Sequence, residues 1–203
     1  MSMSEPTSAR VTEAHPVAAL PRFGVIDLET SGLSTRRHRI LQVAAVVVED
    51  GEIVDEWVSL VRLRWRFGRV GPRRVHGLQR AELRSAPPQT AVLAELAGRL
   101  DGTVVTAHNI GFDWPFVVRA ARRAGVDLPT GRRLCTLRLS RRLDPDRAMS
   151  HRLVDVCERY GIGNDRPHDA LHDARATAQL LPHLLIAHGV ATADDLDALY
   201  ERR

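Results

Sequence analysis

Lysine is absent from the 203 residues, so the basic side of the charge balance, 29 residues against 25 Asp and Glu, is carried by arginine alone. The isoelectric point is about 10.0 at a formal charge of only +4. That is a weak pointer to an anionic partner, and a coding bias explains arginine-only usage equally well. Cysteine is almost as scarce. Cys135 and Cys157 stand in apolar surroundings without a CxxC spacing, the pattern of reduced core residues and not of a metal or redox pair. No apolar run approaches the roughly 18 residues of a membrane span, and the N-terminus lacks a basic region followed by an apolar one. The expectation is a cytoplasmic protein with no membrane partner. No internal repeat is visible either.

What is present is the composition of an ordinary globular domain, 44% apolar and 27% charged, long enough to bury a core without disulfide or zinc staples. Residues 1–20 are small, polar and aperiodic, which predicts a flexible tail; residues 21–203 form one domain. Within it, Phe23 to Glu29 reads as a strand, and "RILQVAAVVVEDGEIVDEWVSLV" as two more joined at "EDG". Residues 88–100 carry apolar residues at helical spacing, "TVVTAH" is a short apolar strand, and "FDWPFVVRAARRAG" is a helix closing on Gly125. "TLRLSRRL", "SHRLVDVCERYG", the run from Asp169 to His188 and "ATADDLDALYERR" read as helices. Strands come early and helices late, giving a mixed α/β domain with an antiparallel meander in its central sheet.

Three polar groupings interrupt this apolar pattern. In "GVIDLETSGL" the carboxylates Asp27 and Glu29 stand two apart on a strand, facing the same side. Burying two like charges together is costly unless a cation compensates them. In "AHNIGFD", Asn109 and Asp113 fall four apart at a helix start just after a strand. In "HDALHD", His168 and Asp173 stand at the start of the last long helix. Oxygen donors without cysteine suit Mg²⁺ or Mn²⁺ and not zinc. Alone, each grouping also fits a bland role: a solvated strand edge, a capped helix, a polar helix face. Placed on this scaffold, these groups are expected to converge at one end of the sheet.

In this order, "DLET", "HNIGFD" and "HDALHD" resemble the three motifs of the DnaQ-like 3′→5′ exonuclease family, the DEDDh branch, which includes the proofreading epsilon subunit of bacterial DNA polymerase III. "VHGLQRAELRSAPP" and "TLRLSRRLDPDRAMSHRLVDVCERYGI" are similar to further stretches of that family, so the likeness runs from Phe23 to Leu185. It implies an RNase H-like fold, a mixed central sheet flanked by helices. It implies that Asp27, Glu29, Asp113 and Asp173 hold two Mg²⁺ or Mn²⁺ ions per active site, Asp27 bridging them. His168 would be the general base, an imidazole being suited to proton transfer at neutral pH. By the same likeness Thr30 and Leu33 contact the terminal nucleotide, and Asn109 and Phe112 line its pocket. The implied activity is release of nucleoside 5′-monophosphates from 3′ ends of single-stranded or frayed DNA. Trimming of RNA ends or short oligoribonucleotides is the alternative, and a silent nucleic-acid-binding accessory module ranks below both. The partner is nucleic acid, with a DNA polymerase or repair protein as a further one; the short stretch after the third motif favours a stand-alone enzyme over a replicase subunit.

Two features depart from the family. Residues 62–74, "RLRWRFGRVGPRR", alternate arginine with apolar residues and suit either nucleic-acid guidance or a protected edge strand. Gln42 stands where many relatives carry glutamate and is not a motif ligand. "AQLLPHLL" bears a slight likeness to sliding-clamp-binding peptides, but its leucines sit at core-facing helical positions.

Overall fold

The computed structural model describes residues 20–63 and 70–201. The expected tail and the centre of the arginine-rich stretch lie outside the described residues. Five strands form one sheet in the order β3-β2-β1-β4-β5. They are β1 Phe23–Thr30, β2 Ile40–Glu49, β3 Glu52–Leu60, β4 Val104–Ala107 and β5 Arg133–Cys135. The first three run antiparallel as the expected meander, while β4 and β5 continue the sheet parallel to β1.

Local chemistry accounts for these elements. Strand β2 is apolar along nearly its whole length and buried on both faces, as a strand covered by helices on each side must be. Asp50 and Gly51 both adopt positive φ, 51° and 83°, the conformation that a tight two-residue hairpin requires. Strand β3 alternates between exposed and half-buried positions and carries Asp55 and Glu56, charges that guard a sheet edge.

Two layers of helices cover the sheet. Helices α3 (Gln89–Leu100) and α4 (Ile110–Ala124) pack on the face carrying Ile26, Leu28, Val43 and Val105. Helices α5 (Thr136–Arg142), α6 (Leu153–Arg159) and α7 (Ala170–Ala187) cover the opposite face, against Phe23, Val25, Ala44 and Val46. Two short helices, α1 (Arg73–His76) and α2 (Arg80–Ser85), link the meander to α3. Both cysteines are buried and free. The leucines of "AQLLPHLL" are core residues of α7.

The sequence reading needs two corrections. Among the described residues the segment after Val190 is not an α-helix: it contains one short 3-10 turn, Asp194–Leu196. The Asp195 carboxylate accepts from the backbone of Ala191 and Thr192 and pulls the chain into a local turn, the competition that aspartate offers to helix. Burial of Leu196 and the bond from Glu201 N–H to the Arg133 carbonyl then hold the segment flat against β5. Strand β5 itself, three residues long, carries too little pattern to be read from sequence.

Candidate active site

The parallel pairing of β1 with β4 stops at Val25, yet β1 runs on to Thr30. Beyond that point the two strands part, and the carboxyl ends of parallel strands leave a crevice where ligands bind in open α/β sheets. Asp27 and Glu29 lie on this free stretch. The register of β1 against β2 slips between Glu29 and Thr30, a bulge that leaves Leu41 unpaired and re-aims the strand end.

Asp113 reaches the same place from the other layer. It sits in the first turn of α4, is only 3% exposed, and bonds the backbone of Leu28, whose edge β4 has left uncovered. The third contribution comes from the start of α7. Asp169 is the N-cap, accepting from the N–H groups of Leu171 and His172, and Asp173 stands in the first turn. Just ahead, His168 is held at φ 68°, a left-handed backbone that a histidine seldom adopts and that clusters at functional sites. That twist aims its N–H at Asp173 Oδ2, 3.0 Å away, while Asn164 Nδ2 donates to Asp173 Oδ1 at 2.6 Å.

Ligand atoms of Glu29, His168 and Asp173 lie within 4.8 Å of one another, a spacing that one ion could span. Together with Asp27, Thr30, Leu33, Phe112 and Asp113 they line one open cleft of about 240 Å³, whose lining also includes Pro72, Val75 and His76. The wall is built by close backbone approach: a Cβ on Gly71, whose φ is 82°, would meet the Ser31 carbonyl oxygen at 2.5 Å. His76 braces it, donating from Nε2 to the Val70 carbonyl and accepting at Nδ1 from Leu78 N–H.

The electrostatics are strained. Burial drives the Asp27 carboxyl well above the ordinary carboxylate range, and Asp113, Asp173, Glu29 and Asp169 push it further. Burial, with Asp173, Asp169 and Asp113, lifts Glu29 to about 8. Asp113 rises to about 8 through burial, against two backbone hydrogen bonds. Among the described residues no arginine or histidine forms an ion pair with Asp27, Glu29, Asp113 or Asp173. A desolvated, all-oxygen cluster lacking a counter-charge fits hard divalent cations.

Eight of the nine expected residues line the cleft. Asn109 does not: it precedes α4 as an exposed N-cap at φ 81° with no side-chain cap bond, so the four-residue spacing to Asp113 is not a helical one. The sequence reading missed Asn164 and His108. His108 lines the cleft; its Nε2 donates to the His151 carbonyl and its Nδ1 accepts from the Thr136 hydroxyl. Gln42 pairs across the strands with Glu29 and accepts the Ala170 N–H, tying β2 to the first turn of α7. Arg62 is engaged with the Ala86 carbonyl.

Residues 25–181 match the family model described as Exonuclease (RNase_T). A bifunctional exonuclease/endonuclease protein of Mycobacterium tuberculosis is 36% identical over 173 residues, covering 81% of this chain and 26% of that protein. The 3′-5′ exonuclease DinG of Bacillus subtilis is 33% identical over 165 residues, covering 81% and 18%. The chain therefore spans about a quarter or less of the length of these curated relatives. Among solved structures, Exonuclease X in complex with 5′ overhanging duplex DNA superposes with a TM-score of 0.64 at 27% identity, covering 86% of this chain and 98% of that one.

Proposed function

Given that the chain belongs to the DnaQ-like 3′→5′ exonuclease family, DEDDh type, with its RNase H-like fold, we propose that it hydrolyses phosphodiester bonds at the 3′ ends of single-stranded or frayed DNA. Nucleoside 5′-monophosphates are the products. The observation that carries this reading is the meeting of Asp27, Glu29, Asp113, His168 and Asp173 in one cleft. The likeness to a nuclease seen with DNA supports DNA over RNA.

Asp27, Glu29, Asp113 and Asp173 are the residues that would hold a pair of Mg²⁺ or Mn²⁺ ions, which supply Lewis acidity toward the scissile phosphate. The chain's own groups do the rest. The His168 imidazole takes a proton from the attacking water as its oxygen bonds to phosphorus, the bond to the upstream 3′ oxygen breaks, and that oxygen takes a proton from solvent to leave as a 3′ hydroxyl. Asn164 and the His168 N–H fix the carboxylate of Asp173. Phe112 offers a ring face to the terminal base and Leu33, 84% exposed, stands at the cleft mouth as a wedge between it and the next base.

The test is a gel. Matched 5′-labelled single-stranded DNA and RNA are incubated with Mg²⁺ or Mn²⁺, beside an Asp27→Asn control. The expected result is a ladder that shortens from the 3′ end, faster on DNA and missing in the variant. Intact substrates with a folded protein under both ions would overturn the reading; faster RNA shortening would reassign the substrate.

A further inference from the structure

The head of α7 is a unit closed on itself. Asn164 Nδ2 and the His168 N–H hold the two oxygens of Asp173, and the Asp169 side chain caps the N–H groups of Leu171 and His172. These bonds fix Asp173 relative to His168. None of them fixes either residue relative to Glu29, which stands on β1 and has a ligand atom within 4.8 Å of both. Something else must set that distance. Further along, α7 is docked by Leu180, Leu181, Leu184 and Leu185 in the core, but its first turn offers that core only Ala170, with Leu171 partly buried. Apolar contact is non-directional, so it does not by itself decide how high the first turn rides over the sheet.

Gln42 supplies a directional contact. In the pairing of β2 with β1 its partner is Glu29, immediately before the register slips at Thr30. Directly paired residues project from the same face of a sheet. The Gln42 Oε1 atom accepts the Ala170 N–H at 3.3 Å, and both residues are buried. That N–H is one of the donors that a helix start leaves without an intrahelical partner. Among the described residues it makes the one hydrogen bond between the first turn of α7 and the sheet. The acceptor is an amide and not a carboxylate, so the tie adds no charge beside Glu29, whose ionisation Asp173, Asp169 and Asp113 already oppose.

Resting on the exonuclease reading above, we infer that Gln42 is a positioning residue: its side-chain oxygen holds the head of α7 over β1, so that His168 and Asp173 meet Glu29 at a spacing one ion can span. It acts through the first turn of α7 and not on the substrate. Its loss therefore weakens metal uptake and slows the chemical step, and leaves the grip of the cleft on nucleic acid as it is.

The experiment compares wild type with Gln42→Leu, Gln42→Asn and Gln42→Glu, each checked for folding by circular dichroism. Mn²⁺ uptake by the metal-free protein is measured by calorimetric titration. Gln42→Leu, similar in volume but without an acceptor, is expected to bind Mn²⁺ about tenfold more weakly, the scale on which lost support of metal ligands acts. Gln42→Asn, one methylene shorter at a bond already 3.3 Å long, shows the same loss. Gln42→Glu keeps both reach and acceptor oxygen and recovers most of the affinity. At saturating Mn²⁺ on single-stranded DNA, Gln42→Leu lowers kcat while KM holds. Should Gln42→Leu fail to fold, the Asn and Glu variants carry the comparison. A merely structural tie would lower the melting temperature and leave the Mn²⁺ affinity of the folded protein unchanged; that result overturns the inference, as does a Glu variant that loses as much as the Asn variant. Wild type that takes up Mn²⁺ yet shortens no DNA sinks the exonuclease reading and leaves the titration to judge Gln42. Wild type that takes up no Mn²⁺ overturns both.

Discussion

Two clusters of polar side chains lie within the fold on either side of His108, and they are built on opposite rules. In the first, Asp27, Glu29, Asp113 and Asp173 share a cleft with no ion-pair partner among the described residues, and the neighbouring carboxylates raise the cost of ionising Asp27 and Glu29. In the second, every group is answered. His151 donates from Nε2 to Asp144, accepts at Nδ1 from Ser140, and lends its carbonyl to His108. Asp144 accepts in addition from the N–H groups of Ala148 and Met149, and Arg159 reaches the Ser140 hydroxyl and the Ser150 carbonyl. The Ser140, His151 and Asp144 side chains line up as a hydrolase triad would, yet Ser140 is only 4% exposed. A buried network complete in itself fastens α5 to α6 and has nothing left to offer a substrate. Unanswered charge marks the working site because only a ligand completes it.

Substitution separates the two. Asp27→Asn is expected to lower kcat/KM by at least about 10³-fold, since it removes charge that only the bound ions and the transition state use. The same change raises the melting temperature of the metal-free protein at pH 8 by removing a repelled, desolvated carboxylate. His151→Ala works the other way. It strands Ser140 and Asp144 and costs about 2–3 kcal/mol in a denaturant titration, while activity per folded molecule falls far less. A metal-free Asp27→Asn protein less stable than wild type would break the contrast. Asn164→Ala sharpens it: freeing one oxygen of Asp173 is expected to weaken Mn²⁺ binding by about tenfold or more in a direct titration, with little change in stability.

The carboxylates of the first cluster were legible in the sequence because Asp27 and Glu29 break an apolar strand and stand in family order with two further polar groupings. His168 and Asp173 could be read through the third of those groupings, at the head of a long helix, since alone it also fits a polar helix face. Asn164 could not, because it lies in an irregular loop and acts on a residue nine positions away through a geometry that the left-handed turn at His168 creates. Asn109 misled because a four-residue spacing reads as helical, whereas α4 begins only at Ile110. The role of Asp113 at the Leu28 edge depends on β1 outrunning β4, a register that no local pattern encodes. The terminal segment was misread because Asp195 and the Arg132–Asp197 and Arg138–Glu201 pairs outweigh local helix propensity.

The smallest expected effect is the one in which the clusters have opposite signs. Glu29 and Asp113, raised to about 8 in the fold, prefer to be protonated there. In the metal-free protein their contribution to stability is full below the ordinary carboxylate range near pH 4 and is lost as pH rises toward 8. His108 is lowered to about 4, first by burial, so it prefers to be neutral. Its contribution is full above about pH 6.5 and is lost as pH falls toward 4. Melting temperatures measured in EDTA should therefore decline between pH 6.5 and 8, where the raised carboxylates lose their contribution and that of His108 is already full, and the two trends should oppose each other between pH 4 and 6.5. Saturating Mn²⁺ removes the alkaline decline, because the bound ions hold the carboxylates ionised, and leaves the acid-side loss untouched. His108→Gln removes much of that acid-side loss and leaves the alkaline decline in place. A metal-free melting temperature that climbs from pH 6.5 to 8 would mean that the carboxylates are answered by the protein itself, and the distinction between the two clusters would fall.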